Sequence, residues 1–296
     1  VDGGRSWNAL GPPITHALFS TPFSVDPLDP DHVMIAGNEV VESGSGPSTG
    51  SDDWSQVYDL GTAKHPGTST EESADDAANV QTAIDLYGPQ AYVGFCGVCD
   101  VLADKRPFKS GIATNIAGSK GAKRYTSDGW HVAKAIGLPE RYITSIQMDR
   151  TNPEVVYVTL GGYSRRWTPP GTLSGKDDTG GHLYKSVDAG EHFFDISGDL
   201  PKSAANWVTV HGTQLVVATD IGVFASQPKA ACAAPSARRC SFEVLGKGLP
   251  AAPVASMQLA PWDCNLLTVA SFGRGAYTYR FGAPKKCAGK VVKPRV

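Results

Sequence analysis

One short pattern constrains the fold of this 296-residue chain more than any other, and it reads Ser186-x-Asp188-x-Gly190-x-x-Phe193. An aspartate side chain can accept hydrogen bonds from backbone N–H groups a few residues further on, and a glycine tolerates the positive φ of a tight turn. An aromatic residue at the end of such a turn can pack on an apolar layer. The pattern therefore predicts a β-hairpin whose turn is locked by its own side chains.

A second pattern recurs along the chain as a short strand, an aspartate, a turn with proline four residues later, and another strand. Its anchor aspartates are Asp26, Asp85 and Asp149, spaced 59 and then 64 residues apart. Looser copies centre near His211 and Trp262. This period is in the range of one four-stranded propeller blade. The sequence predicts an all-β fold, a β-propeller with about five blades in this chain.

The locked hairpin resembles the Asp-box, or BNR repeat, of sialidase-like β-propellers. The segment Ser271–Tyr277 looks like the closing segment of many secreted bacterial proteins with such repeats. Asp2, Gly4 and Trp7 match the second half of another copy, and eroded copies stand at 51–54 and 127–130. The resemblance implies Asp-box turns on the propeller face opposite the usual ligand site. It implies no single activity, since the repeat occurs in sialidases, xyloglucan hydrolases, sorting receptors and photosystem assembly factors.

The domain organisation follows from the repeats. We expect a single domain over residues 1–296, with an orphan outer strand in 1–10 and a tail in 283–296, because no linker interrupts the series. The chain opens inside a repeat, which favours a fragment or a processed product. The five units either close on themselves or form the C-terminal part of a larger ring. In the second case the remaining blades lie upstream or on another chain.

Composition excludes several classes of partner. Lys plus Arg number 27 and Asp plus Glu number 29, so the net charge of −2 gives no long-range attraction to nucleic acid. No apolar run reaches the roughly 18 residues of a membrane span. The histidines show no HxH or HExxH arrangement, so a catalytic metal is not expected. The sequence predicts no cofactor.

Cysteine usage predicts an oxidising location. The six cysteines fall into three pairs, namely Cys96 with Cys99, Cys232 with Cys240, and Cys264 with Cys287. An even count in close pairs favours disulfides and a secreted or otherwise extracytoplasmic protein. The Cys96-x-x-Cys99 pair is open to three interpretations: a structural disulfide, a redox pair or half of a metal site. Its strand-like flanks favour the structural disulfide.

Three long connections are predicted on the face opposite the Asp-box turns, at 61–79, 95–109 and 161–181. The last carries Tyr163, Arg165, Arg166 and Trp167, which combine aromatic rings with guanidinium donors and could bind a sugar ring or an acidic side chain. The alternative is a loop that folds over its own tryptophan. The middle connection holds two further candidates, Asp100 and Asp104, as a general acid or base.

Two functions remain from the sequence. The first is an extracellular binding or scaffold propeller, with a glycan or a secreted or cell-surface protein as its ligand and the ring's missing blades as another partner. The alternative is an extracellular glycoside hydrolase, or part of one, that uses loop carboxylates such as Asp100 or Asp104. Glycosidases need two carboxylates on either side of the scissile bond, roughly 5 to 9.5 Å apart.

Overall fold

The computed structural model describes residues 9–18, 20–62, 79–96, 110–116, 121–139, 141–162, 181–228, 232 and 240–287. Within these ranges the secondary structure is nearly all β, with two short 3-10 turns at Gly46–Ser48 and Leu60–Thr62. The strands are β1 Phe23–Val25, β2 Val33–Ala36, β3 Glu39–Ser43, β4 Ser55–Asp59, β5 Val80–Tyr87, β6 Gln90–Cys96, β7 Ser110–Thr114, β8 His131–Val132, β9 Ile143–Asp149, β10 Asn152–Leu160, β11 Leu183–Ser186, β12 Phe194–Asp195, β13 Ala205–His211, β14 Gln214–Thr219, β15 Gly222–Pro228, β16 Phe242–Val244, β17 Val254–Ala260, β18 Asp263–Ser271 and β19 Gly275–Arg280.

These strands form five antiparallel sheets, each made of strands consecutive in the chain. Blade 1 is β1–β4, blade 2 is β5–β8, blade 3 is β9–β12 and blade 4 is β13–β16. Blade 5 contains β17, β18 and β19 in the described part of the chain. The predicted fold class, a β-propeller with about five blades in this chain, is confirmed.

Apolar side chains from neighbouring sheets meet in a layer between each pair of consecutive blades. Between blades 2 and 3, for example, Tyr92 and Ile112 pack with Ile146, Met148 and Val158, all of them buried. Comparable layers lie between blades 1 and 2, blades 3 and 4, and blades 4 and 5. Inner strands are therefore buried on both faces, which explains why β14 reads as the nearly continuous apolar run QLVVAT.

The free flank of blade 1, which faces away from blade 2, is apolar and incompletely covered. Val25 is one residue before the anchor Asp26 and is 43% exposed, and Phe23, two residues earlier, is 64% exposed. The equivalent side chains of blade 3 are Met148 at 0% and Ile146 at 5%, because blade 2 covers them. Blade 1 thus presents to solvent the kind of surface that blade 3 buries.

The free flank of blade 5 is polar instead. Gln258, Thr268 and Thr278 lie side by side across β17, β18 and β19, and all three are exposed. The opposite face of the same sheet carries Met257 and Leu267, which are buried against blade 4. Among the described elements, blade 5 and blade 1 share no packing comparable to that between consecutive blades.

Candidate functional site

The strand order assigns every turn to one of two faces. Turns between the first and second strands of a blade, and between its third and fourth strands, lie on one face, here called the Asp-box face. Connections between the second and third strands, and from one blade to the next, lie on the other, here called the long-loop face. The first predicted long connection joins the 3-10 turn Leu60–Thr62 of blade 1 to β5 of blade 2. The second joins β6 to β7, and the third joins β10 to β11, so all three belong to the long-loop face.

The residues predicted to bind or to catalyse fall outside the described residues. Tyr163, Arg165, Arg166 and Trp167 lie in the connection between β10 and β11, and Asp100 and Asp104 lie in that between β6 and β7. Their side-chain roles therefore stay predictions. The described strand ends fix where both connections start and finish, on neighbouring blades 2 and 3.

Described carboxylates on the long-loop face serve to hold its turns. Glu39 accepts hydrogen bonds from the backbone and the hydroxyl of Thr15, at 2.6 and 2.8 Å. Asp195 accepts the N–H of Gly181, where the connection of blade 3 returns to the sheet, at 2.9 Å. Asp220 accepts the amide of Asn206 at 2.8 Å. Each of these described carboxylates is thus engaged in hydrogen bonds that hold the turns of this face.

The short turns of blades 4 and 5 add exposed apolar side chains to the long-loop face. Ile221, between β14 and β15, is 52% exposed, and Phe272, between β18 and β19, is 76% exposed. Arg274 follows Phe272 in the same turn and is exposed as well. Sequence reasoning placed all binding potential on the long connections and missed these two turns, because a single exposed residue in a short turn has no periodic signal.

On the Asp-box face, the turn from Ser186 to Phe193 is locked by its own side chains. The Ser186 hydroxyl donates to Asp188 Oδ1 at 2.8 Å and accepts the N–H of Gly190, whose φ is 91°, at 2.9 Å. Asp188 Oδ1 also accepts the backbone N–H of His192 at 2.9 Å. Burial would raise the pKa of Asp188, but the hydrogen bonds from His192 and Ser186 outweigh it and hold that pKa below its usual value.

The same turn is bonded to the preceding blade. Phe193 is buried in the layer between blades 2 and 3, and its N–H donates to the carbonyl of Ile136 at 2.7 Å. The N–H of Ile136 in turn donates to the carbonyl of Glu191 at 2.9 Å. The hairpin therefore closes its own blade and also joins that blade to its neighbour. Asp2, Gly4 and Trp7, the half copy of the motif, lie outside the described residues.

Two anchor aspartates join neighbouring blades. Asp85 of blade 2 accepts both guanidinium N–H groups of Arg150, at 3.0 and 2.7 Å, and the backbone N–H of Met148 at 2.7 Å, both from blade 3. Asp26 of blade 1 accepts the N–H of Gly88 in blade 2 at 3.0 Å. The sequence pattern identified the turns but not these contacts between blades.

A buried charged cluster surrounds His32 at the junction of blades 1 and 2. His32 Nδ1 lies 3.2 Å from Asp26 Oδ2, and His32 Nε2 lies 3.2 Å from Glu42 Oε2. Arg124 donates to Asp26 and to Asp29 at 2.6 Å each. Burial would raise the pKa of Asp26, but hydrogen bonds from His32, Gly88 and Leu28 and the charge of Arg124 hold it below its usual value.

The described residues contain no group of three or more His, Cys, Asp or Glu side chains that could hold a metal ion. No membrane-spanning helix is found in that part of the chain either.

Disulfides join Cys232 to Cys240 and Cys264 to Cys287, so these two predictions are confirmed. Cys96 is also disulfide-bonded, and its predicted partner Cys99 lies outside the described residues.

No family model matches the sequence, and no curated protein matches it. The chain is similar to the solved structure of an ancestral GH74 enzyme, at 12% identity over 88% of this chain and 31% of that one, with a TM-score of 0.47. It is also similar to PorZ, an essential bacterial surface component of the type-IX secretion system of Porphyromonas gingivalis, at 16% identity over 88% and 32%, with a TM-score of 0.46. YCF48 from Cyanidioschyzon merolae is similar at 10% identity over 86% and 80%, with a TM-score of 0.44.

The chain spans about a third of the length of the GH74 enzyme and of PorZ. At these identities and TM-scores the similarities carry no argument about the activity of this chain. Its five consecutive antiparallel sheets, with an apolar layer between each neighbouring pair, identify it as a β-propeller.

Proposed function

We propose that this propeller is an extracellular binding or scaffold protein whose ligand, a glycan or a secreted or cell-surface protein, occupies the long-loop face. One observation carries the proposal. Connections of 16, 13 and 22 residues leave this face at blades 1, 2 and 3, between Thr62 and Asn79, Cys96 and Ser110, and Leu160 and Leu183 respectively. The corresponding connections β14–β15 and β18–β19 need only two and three residues, and connections as long as these three are uncommon in compact domains and often functional.

The frame beneath these connections supports the proposal. Hydrogen bonds that the carboxylates of Glu39 and Asp195 accept hold the bases of the turns, and side chains of the inner strands pack below them. A rigid scaffold that carries variable loops is the usual arrangement of a binding surface. The described carboxylates of this face are already engaged in turns, which favours binding over glycoside hydrolysis. The hydrolase alternative depends on Asp100 and Asp104.

We further infer that the chain is an Asp-box propeller that folds outside the cytoplasm. The locked turn at Ser186–Phe193 supports the first part, because it has the hydrogen bonds that an Asp-box requires. Three disulfide-bonded cysteine positions, at Cys96, Cys232 and Cys264, support the second, since disulfides persist in oxidising compartments.

Trp167 is the residue we expect to matter most for binding. If its indole forms part of the ligand platform, replacing it with alanine should abolish binding on a glycan and secreted-protein array and leave the melting temperature within a few degrees, because a ring on a binding surface contributes little to the core. Trp262→Ala is the matched control. Trp262 is 66% exposed but lies in the turn between β17 and β18, on the Asp-box face, so binding should persist.

The outcomes separate binding from its alternatives. A loss of several kcal/mol of stability in Trp167→Ala, with binding intact, would mean that the indole packs in the core and would overturn its proposed role in binding.

Any glycan retained on the array should also be incubated with the protein and checked for new reducing ends. If such release disappears in Asp100→Asn or Asp104→Asn, the protein is a hydrolase.

We further propose that residues 1–296 form a single domain and that additional blades complete its ring. The exposed Phe23 and Val25 support it, because every equivalent flank in the described blades is covered by a neighbour. We expect small-angle X-ray scattering from the 296-residue protein to fit an open arc. A profile that fits a closed five-bladed disc would contradict this expectation.

A further inference from the structure

His32 lies wholly buried between two wholly buried carboxylates, Asp26 and Glu42. Asp26 follows β1, His32 precedes β2 and Glu42 lies in β3, so the three side chains meet where three strands of blade 1 reach the Asp-box face. Each imidazole nitrogen lies 3.2 Å from a carboxylate oxygen. The second oxygen of Glu42, Oε1, is buried and has no hydrogen-bond partner among the described residues.

This geometry selects one protonation state of the imidazole. A neutral imidazole has one N–H and one lone pair, so it can donate to only one of the two carboxylates. The lone pair of the other nitrogen would then face a carboxylate oxygen. An imidazolium has two N–H donors and satisfies both contacts, each of them strengthened by charge. The cluster is therefore complete only when His32 carries two protons or when one carboxyl is protonated in its place.

The cluster also holds a piece of the next blade. Arg124 reaches from the connection between β7 and β8 of blade 2 to Asp26 and Asp29. The backbone N–H of Tyr125 donates to Glu42 Oε2 at 2.9 Å, and its ring packs edge-on against the imidazole of His32, with the centroids 5.5 Å apart. Tyr125 has a φ of 57°, an unfavourable value for a non-glycine residue, so these contacts hold a strained backbone.

We propose that the protonation of His32 latches residues 121–128 of blade 2, here called the Arg124 segment, onto blade 1, and that deprotonation releases them. The charged and titratable groups around His32 are Asp26 from the end of β1, Glu42 from β3, Asp29 from the turn before β2, and Arg124 and Tyr125 from blade 2. Three carboxylates thus face a single guanidinium. A second positive charge on His32 reduces this imbalance.

The direction of the pH dependence follows from the same contacts. Burial disfavours a charged imidazole, but the hydrogen bonds to Asp26 and Glu42 outweigh it and raise the pKa of His32 above its ordinary value. A group whose pKa is higher in the folded protein stabilises it fully below the unfolded pKa, about 6.5, and this contribution is lost as pH rises through the folded pKa. The Arg124 segment is therefore latched in mild acid and released in base.

Hydrogen–deuterium exchange of the native protein, followed by mass spectrometry, tests the latch. After correction for the intrinsic exchange rate, the protection factor of the peptide 121–130 should fall as the pH rises from 6 to 8.5. The fall should be about tenfold for each unit by which the pKa of His32 in the latched state exceeds its pKa in the released state. In His32→Gln the side chain stays neutral, so protection should be low and independent of pH. His192→Gln removes an exposed histidine beside Asp188 and should leave the peptide unchanged.

A histidine titration of the unaltered protein by NMR provides a second measurement that does not depend on any variant. We expect His32 to titrate above 6.5. Protection of 121–130 that does not change with pH, or a His32 pKa below 6.5, would overturn the proposal. The latch lies on the Asp-box face, so either result leaves the proposed ligand face untouched.

Discussion

Asp85→Ala is expected to lower the free energy of unfolding by about 3 kcal/mol, measured by chemical denaturation at neutral pH. The substitution leaves the guanidinium of Arg150 and the buried N–H of Met148 without their acceptor. Removing one partner of a buried charge pair costs roughly 3 to 5 kcal/mol. We take the lower end because the side chain of Arg150 is 35% exposed and recovers some hydration.

Asp52→Ala is the control for Asp85→Ala. Asp52 is exposed in the turn before β4, and its carboxylate accepts a hydrogen bond from the hydroxyl of its neighbour Ser51, so its loss should change stability by less than about 0.5 kcal/mol. Equal effects of the two substitutions would show that the contact between blades contributes nothing measurable. Asp85→Asn should fall between them, because its amide oxygen can still accept from Met148.

The joint substitution Cys232→Ala and Cys240→Ala is expected to lower the free energy of unfolding by about 3 kcal/mol. Closing a short loop contributes roughly 2 to 3 kcal/mol in the chain-entropy model. Both sulfur atoms are also buried in the layer between blades 3 and 4, so their removal leaves a cavity. Denaturation curves of the oxidised protein and the double variant give the difference.

The second disulfide allows the two contributions to be separated. Cys264 and Cys287 are 23 residues apart, against 8 for Cys232 and Cys240, so loop entropy alone ranks the loss of this pair as the larger. Burial instead predicts the smaller loss of stability for this pair, since Cys264 and Cys287 are only partly buried. A greater loss in Cys264→Ala with Cys287→Ala would show that core packing around Cys232 and Cys240 is unimportant. Intact masses with and without reductant confirm the oxidised state of each protein.

The repeats made the blades predictable, because an aspartate, a turn and two apolar strands are local features. Each of the three anchor aspartates lies at or near the end of the first strand of its blade, since Asp26 follows β1, Asp85 lies in β5 and Asp149 ends β9. The role of Asp26 at the blade junction was not predictable. Its partner Arg124 is 98 residues away, and no local pattern records which side chains a neighbouring blade brings to a turn.

The sequence predicted the functional side chains less completely than it predicted the fold. His32 was one of seven scattered histidines, and its two carboxylates are six and ten residues away, one directly after β1 and the other in β3. A search of the residues opposite each turn of a predicted hairpin could have paired His32 with Glu42. The ligand residues proposed at 163–167 come from loop length and chemistry, which indicate a surface but not the placement of its side chains.

The apolar layers between consecutive blades determine how stability is shared along the chain. Each layer belongs to two neighbours, so each blade depends on the blades beside it, as in other repeat proteins whose units interact only with adjacent units. Blade 3 is held by two layers, and blade 1 by one such layer and the His32 cluster. Unfolding should therefore begin at blade 1 or blade 5. A defect in a central layer would divide one cooperative transition into two.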